Sequence, residues 1–312
     1  MKRSVSENSL KSPLRLSCIG AGRAGMVLCK LLASRCDIGQ IINRSIESSK
    51  YAIDFIGGGE AACAVNNDYS HLKTADIWML TCPDDQIETV AQGLLSSGPV
   101  HQNTVVFHCS GTLSSKIFND TLDSPVNVAS LHPIHSFASA QKSVGHFTGT
   151  YCAVEGDDSA VSRLTELFTA IGAIVMPINA ENKTLYHLST VTACNHLVAL
   201  LHMSQLMLAE AGIPEPHRNL ALRQLIEQTV ENFLHSGSKN ALTGPISRGD
   251  VATITNHLSV LQQAPISWQE TYTGLGRTAV DIARQQAQAP EDKLHAISTS
   301  LDKATDDRDR SK

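Results

Sequence analysis

A short apolar run, Leu14 to Ile19, leads directly into Gly20-Ala21-Gly22-Arg23-Ala24-Gly25, and a Leu-, Ala- and Met-rich stretch of helical character follows from Ala24 to Ser34. Few arrangements constrain a chain more. A strand must stop, turn within a few residues and return as a helix packed on the strand it has just left. Gly20 permits the tight turn, Gly22 lets the backbone come close to a ligand, and Gly25 lets the helix lie against the strand. The unpaired N–H groups of the first helical turn then form an anion site, reinforced by the helix dipole. Between this strand and this helix the glycines are expected to cradle the pyrophosphate of a dinucleotide, with Ala21, Arg23 and Ala24 at its edge. Without those flanks they would read as an ordinary strand–helix turn.

A second strand, Ile38 to Asn43, ends in Ile42-Asn43-Arg44-Ser45. This is about 20 residues past the glycines, where NAD-binding chains carry an acid for the ribose hydroxyls. No acid stands here. Arg44 suits a bidentate, charge-assisted contact to a 2′-phosphate, and Asn43 and Ser45 can add neutral hydrogen bonds. The expected cofactor is therefore NADP, with NAD less favoured; the competing reading of Arg44 is a solvated loop residue.

Strands and helices go on alternating, which predicts an α/β fold. Further strands are expected at Ala61–Val65, Ala75–Thr81, Thr104–Cys109, Asn127–Leu131, Tyr151–Val154 and Ala173–Met176, with helices at Ser48–Ile56, Gln86–Leu95 and 159–170. After Pro177 the pattern changes. Glu181 to Ala211 reads as one long helix, followed by helices near 216–236, 251–263 and 267–287. The expectation is an N-terminal Rossmann-type, mainly parallel sheet over 14–178, then an all-α substrate and dimerisation domain over 179–292. Residues 1–13 and the charged 296–312 are expected to be disordered tails.

Composition narrows the function class. A hydrophobic fraction of 42% and a charged fraction of 18% are those of a globular protein. A net charge of -5 and the absence of a Lys/Arg run argue against nucleic acid and against anionic membrane surfaces. No uninterrupted apolar run reaches ~18 residues, so no membrane span is expected. The N-terminus is polar and lacks the pattern of a signal peptide. The 8 cysteines are scattered with no C-x-x-C pair, which points to reduced thiols and a cytoplasmic location.

Ligands of open α/β sheets bind outside the carboxyl ends of strands, so those ends carry the candidate site. Cys82-Pro83 would run along the cofactor, while Asp84 and Asp85 read most simply as caps of the next helix. Ser110 would border the nicotinamide and the substrate. His132 and His135 lack a Cys or carboxylate at ligand spacing, so no metal is expected; His132 packs over the nicotinamide or plays a plain loop role. Lys183 and His187 are one turn apart on one helix face, with Thr190 on the same stripe. Asn195 falls roughly 80° round from His187 at 3.6 residues per turn. Lys183 or His187 could move a proton to a carbonyl or imine, and Asn195 could orient it. The bland alternative is an interfacial lysine with a satisfied histidine behind it. In Leu242-Thr243-Gly244-Pro245-Ile246-Ser247-Arg248-Gly249-Asp250 the Gly-Pro pair sets a turn, and Arg248 suits a carboxylate or phosphate. Asp250 suits the N-cap of the following helix.

The glycine turn, the Asn-Arg-Ser strand end, the His-Pro after the sixth strand, the Lys-x-x-Tyr-His helix start and the Thr-Gly-Pro-x-x-Arg-Gly-Asp segment occur together. In this the chain resembles, over about residues 14–290, a Rossmann-like family whose C-terminal half is a domain of unknown function (two-five-two-zero). More distantly it is similar to pyrroline-5-carboxylate reductase, ketopantoate reductase and 6-phosphogluconate dehydrogenase. The resemblance implies a homodimer built by the C-terminal helices and a small-molecule substrate bound between the domains. Lys183 sits like the active-site helix of the ketopantoate and hydroxyacid enzymes, and Thr243-Gly244-Pro245 resembles the substrate loop of the proline-pathway reductase. The chain departs from both. His187 stands where the sugar-acid enzymes carry Asn, and the Ser-Pro-Gly-Gly pattern of the proline-pathway loop is missing, so neither substrate carries over. The function so implied is an NADP-dependent oxidoreductase passing hydride between nicotinamide and the carbonyl or imine carbon of a small, polar, anionic substrate. The alternative is a non-catalytic NADP-binding sensor or adaptor.

Overall fold

The apolar runs of the N-terminal half become eight strands: β1 (Arg15–Ile19), β2 (Asp37–Asn43), β3 (Glu60–Cys63), β4 (Ile77–Leu80), β5 (Val105–His108), β6 (Asn127–Pro133), β7 (Tyr151–Gly156) and β8 (Ile174–Pro177). In this computed structural model, which describes residues 13–64, 66–121 and 126–309, they form one sheet in the order β3-β2-β1-β4-β5-β6-β7-β8. The first six run parallel, β7 is antiparallel to β6, and β8 is parallel to β7. Strand order reverses at β1, which lies between β2 and β4. The crevice over the carboxyl ends of β1 and β4 is thus the switch point where such sheets take ligands.

The helices α1 (Arg23–Leu32), α2 (Ile46–Ile56), α3 (Asp84–Ser97), α4 (Ala140–His146), α5 (Asp158–Ala170) and α6 (Lys183–Val191) complete this unit. Every residue of β4 and β5 is buried, as expected of central parallel strands covered on both faces. Alternate residues feed two separate cores. Cys18, Ile41, Met79 and Phe107 pack with Leu28, Leu32 and Phe168. Ile19, Ile42, Trp78, Leu80 and Val106 pack with Ile87, Leu94 and Phe118.

The chain divides after Asn195 into two units. The second holds α7 (Leu197–Glu210), α8 (His217–Ala241), α9 (Val251–Leu261), α10 (Ile266–Gln286) and α11 (Glu291–Asp309). Its core is Ile254, Val280, Ala283, Leu294, Ile297 and Leu301. Neither α7 nor α8 has a buried residue, and Val198, Leu220, Leu225, Phe233 and Leu234 are exposed.

Two expectations change. The supposed C-terminal tail from 296 is helical to Asp309, because Leu294, Ile297 and Leu301 make an apolar face at helical spacing among the charges. Residues 1–12 and 310–312 lie outside the described residues. The long helix from Glu181 to Ala211 is not uniform: a 3₁₀ turn (Ala180–Asn182) precedes α6, and a π turn (Thr192–His196) separates α6 from α7. The segment Ala180–Glu210 is long and apolar enough by length and composition alone to cross a membrane, at a mean hydropathy of 1.2, but polar residues interrupt it, and the expectation of no membrane span is not overturned by it.

Candidate active site

The glycine turn is built as its composition demands. Gly20 has φ +87°, and a methyl group there would lie 2.5 Å from the Cys82 backbone N. The Gly20 N–H donates to Ile42 O at 2.8 Å, and its carbonyl accepts from Thr81 Oγ1 at 2.9 Å, so β1, β2 and β4 all hold the turn. At Gly25 a methyl group would meet Thr81 Oγ1 at 2.4 Å. Gly22 is different: it is exposed, and nothing but Gly20 O comes within 4 Å of a methyl group there, at 3.9 Å. Two glycines are therefore needed for packing inside the protein, and the third faces open space where a ligand can approach. Beside the turn, a cleft of about 480 Å³ is lined by Arg23 and Ala24 of α1 and by Ser136, Phe137 and Ala138 from the loop after β6. Arg23 reaches across it to donate to Ala138 O at 3.2 Å.

At the end of β2, Ser45 caps α2 by accepting from the Ser48 N–H, and the Asn43 N–H donates to Ser49 Oγ at 2.9 Å. These bonds stiffen the loop and leave Arg44 exposed between them. Cys82 and Pro83 leave β4 beside Gly20, with Pro83 in the cap position of α3. Asp84 does not cap that helix. It accepts a 2.6 Å hydrogen bond from Ser110 Oγ, while Asp84 and Asp85 sit in the first helical turn, where their charge suits the dipole.

The chemistry-bearing side chains meet where the turn after β5, the end of β6 and the start of α6 converge. Ser110 Oγ is fully engaged, donating to Asp84 and accepting from the Thr112 and Leu113 N–H groups. Gly111 packs against two histidines: a methyl group on it would lie 2.3 Å from His187 Cδ2 and 3.0 Å from His132 Nε2. His132 Nδ1 is 2.8 Å from Tyr186 Oη, and His187 Nδ1 is 3.0 Å from Thr112 Oγ1. The two imidazoles stand edge to face with centroids 5.6 Å apart.

Beneath them, Lys183 Nζ donates to Ser110 O at 3.1 Å and to Ser130 Oγ, and lies 3.9 Å from Glu155 Oε1. Glu155 is itself held by the Ser115 N–H and Oγ. Burial pulls the Lys183 ammonium below the usual lysine value, against the opposing attraction of Glu155. Burial, then the His187 and Lys183 charges, lower His132 to about 4. Burial and Lys183 also take His108 down to about 3, so both imidazoles are neutral near pH 7.

Of the residues read from the sequence, Ser110, His132, Lys183 and His187 thus come together. Asn195 is exposed and lies within the π turn, where the 3.6-residue arithmetic that set it roughly 80° round from His187 does not apply. Thr243 and Arg248 belong to the helical unit. Both are exposed, Arg248 on a turn closed by Asp250 N–H to Pro245 O and Thr243 just before it, and Asp250 caps α9 as expected, accepting from the Thr253 N–H and Oγ1. Sequence reasoning missed Thr112, Ser130 and Glu155 and gave Tyr186 no role. Tyr186 had a signal, lying three residues after Lys183; Glu155 sits on a short strand of ordinary composition and had none.

Residues 150–279 match the family described as a domain of unknown function (DUF2520). No curated protein matches the chain. Among solved structures, protein TM1727 from Thermotoga maritima is 26% identical with a TM-score of 0.63, over 91% of this chain and 98% of that one. A Bacteroides fragilis protein provisionally described as an NADP oxidoreductase is 20% identical, with a TM-score of 0.66 over 88% and 98%. A Plasmodium falciparum pyrroline carboxylate reductase with NADP bound is 13% identical, with a TM-score of 0.53 over 91% and 98%. The resemblance to the domain family and to the fold of the pyrroline carboxylate reductases is thereby borne out, as is the α/β class.

Proposed function

We propose that this chain is an NADP(H)-dependent oxidoreductase acting on the carbonyl or imine carbon of a small, polar, anionic molecule. The observation that carries the reading is the glycine turn at the switch point, where Gly20 and Gly25 have no room for a side chain while Gly22 faces open space. Gly20, Ala21, Gly22, Arg23, Ala24 and Gly25 would hold the pyrophosphate. Asn43, Arg44 and Ser45 would hold the 2′-phosphate, and Cys82, Pro83 and Ser110 would border the rest of the cofactor. Bound there, the dihydronicotinamide supplies hydride.

The protein's own groups do the remainder. His187 is half-buried and hydrogen-bonded through Nδ1 to Thr112, so its other ring nitrogen is the group suited to exchange a proton with the substrate heteroatom. Tyr186 and His132 form a second hydrogen-bonded pair beside it. Arg248 supplies a cation for a carboxylate or phosphate, and Thr243 and Asn195 supply neutral hydrogen bonds. We further propose a cytoplasmic protein, in keeping with 8 free cysteines, and a homodimer that covers the bare apolar flanks of α7 and α8.

The test is a fluorescence titration of the purified protein with NADPH and NADH, on wild type and Arg44→Ala. Loss of a charge-assisted phosphate contact worth about 1.5–3 kcal/mol should weaken NADPH roughly ten- to hundredfold and leave NADH unchanged. Failure to bind either nucleotide refutes the redox reading. NADPH binding without oxidation across a broad carbonyl and imine screen would favour a sensor.

A further inference from the structure

We infer that Lys183 is a positioning residue, pinning the first turn of α6 onto the ends of β5, β6 and β7 without meeting the substrate. The inference deepens the proposed oxidoreductase reading by deciding which groups of that site face the reaction. Lysine has three N–H donors and no acceptor. Two hydrogen bonds hold its ammonium, to Ser110 O past the end of β5 and to Ser130 Oγ on β6, and the Glu155 carboxylate on β7 lies 3.9 Å away as its ion-pair partner. The side chain is 1% exposed, and that of Glu155 only 7%. Reaching a substrate would strand Glu155 as an unpaired buried carboxylate, which the Ser115 hydrogen bonds cannot neutralise.

The residues three and four positions on, Tyr186 and His187, lie above Lys183 on the same face and are only half-buried. Fixing Lys183 therefore fixes both. Its ammonium has a second effect on the site. Lys183 is faced by Glu155 from β7, Asp84 from α3, His108 from β5 and Cys109 beyond it. His132 is faced by Lys183, Tyr186 and His187 from α6. Burial first and the neighbouring His187 next hold His132 low, and the Lys183 ammonium adds to both, so the Tyr186 hydroxyl pairs with an imidazole rather than with an imidazolium.

The experiment needs no substrate. The native protein is acetylated with an amine-reactive reagent and mapped by mass spectrometry. Lys183 should stay unmodified while the exposed Lys50 and Lys239 react; modification of Lys183 at their rate overturns the inference. In parallel, the His132 ring is titrated by NMR in wild type and in Lys183→Met/Glu155→Gln, which removes both buried charges together and so avoids leaving either unpaired. The His132 pKa should rise from about 4 in the double variant; an unchanged value overturns the electrostatic part. The labelling arm uses the native chain and stands even where the variant does not fold. Once a substrate is known, added alkylamines should fail to restore turnover to Lys183→Ala, since a directly catalytic lysine is replaceable in that way; rescue overturns the inference. Absence of NADPH binding would defeat the oxidoreductase reading while leaving the labelling and titration outcomes unaffected.

Discussion

Replacing Gly20 with alanine sets a methyl group 2.5 Å from the Cys82 backbone N and 2.7 Å from its Cα, at a φ of +87°. Two costs combine. A side chain in the left-handed region costs about 1–2 kcal/mol, and forcing a methyl group into packed backbone costs about 1–3 kcal/mol more. Neither can relax cheaply, because Ile42 O and Thr81 Oγ1 hold the turn from two neighbouring strands. At about 2–4 °C per kcal/mol for a unit of this size, Tm of the nucleotide-free protein should fall by roughly 5–15 °C. Gly22→Ala is the matched control. Its φ of -76° suits any residue and its nearest contact is 3.9 Å away, so Tm should hold or rise slightly. The same methyl group occupies the approach of the pyrophosphate, so NADPH affinity should drop at least tenfold, about 1.4 kcal/mol. Differential scanning calorimetry and NADPH titration on both variants separate the effects. If Gly20→Ala melted with wild type, or Gly22→Ala bound NADPH at full strength, the geometric argument for the cradle would be refuted.

Other outcomes follow from single contacts. His108 is completely buried, with a pKa lowered from 6.5 to about 3, so its contribution to stability is intact above pH 6.5 and declines as the pH falls from there towards 3. The slope is about 1.4 kcal/mol per pH unit, and urea unfolding at pH 7 and pH 5 should show that His108→Gln flattens it. Asp250→Ala removes the cap of α9 and should cost about 1 kcal/mol in the same assay, whereas an unchanged midpoint would mean that the cap bonds add nothing. Leu234→Glu, on the bare flank of α8, should halve the mass seen by sedimentation without lowering NADPH affinity. A wild-type chain that sediments as a monomer would remove the dimer proposal.

Much of the sheet unit was legible because each signal was local. All eight strands appear where apolar runs placed them, and the glycine turn needs its glycines for the reasons that its position between strand and helix suggests. Asp250 behaved as a cap because capping involves only the next three residues. Less local features were misread. The charge-rich C-terminus concealed Leu294, Ile297 and Leu301, whose spacing matters only once α10 offers a surface to bury them. Asp84 looked like a cap until Ser110, 26 residues on, was found to be its partner.

The same division runs through the candidate site. Sequence alone determined that a dinucleotide-type turn follows β1, that Arg44 stands where an acid would select NAD, and that Lys183 and His187 share one helix face. Those properties depend on neighbours a few residues away and on fixed helical and strand periods. Only the tertiary structure decided which of these groups is buried. Glu155 and Ser130, remote in sequence, meet Lys183 because β6 and β7 pair antiparallel, with Ser130 directly opposite Glu155 in register. Once that carboxylate is buried beneath α6 it must be paired, and the lysine that pairs it becomes part of the sheet's interior while the histidine and tyrosine above it remain at the surface of the site.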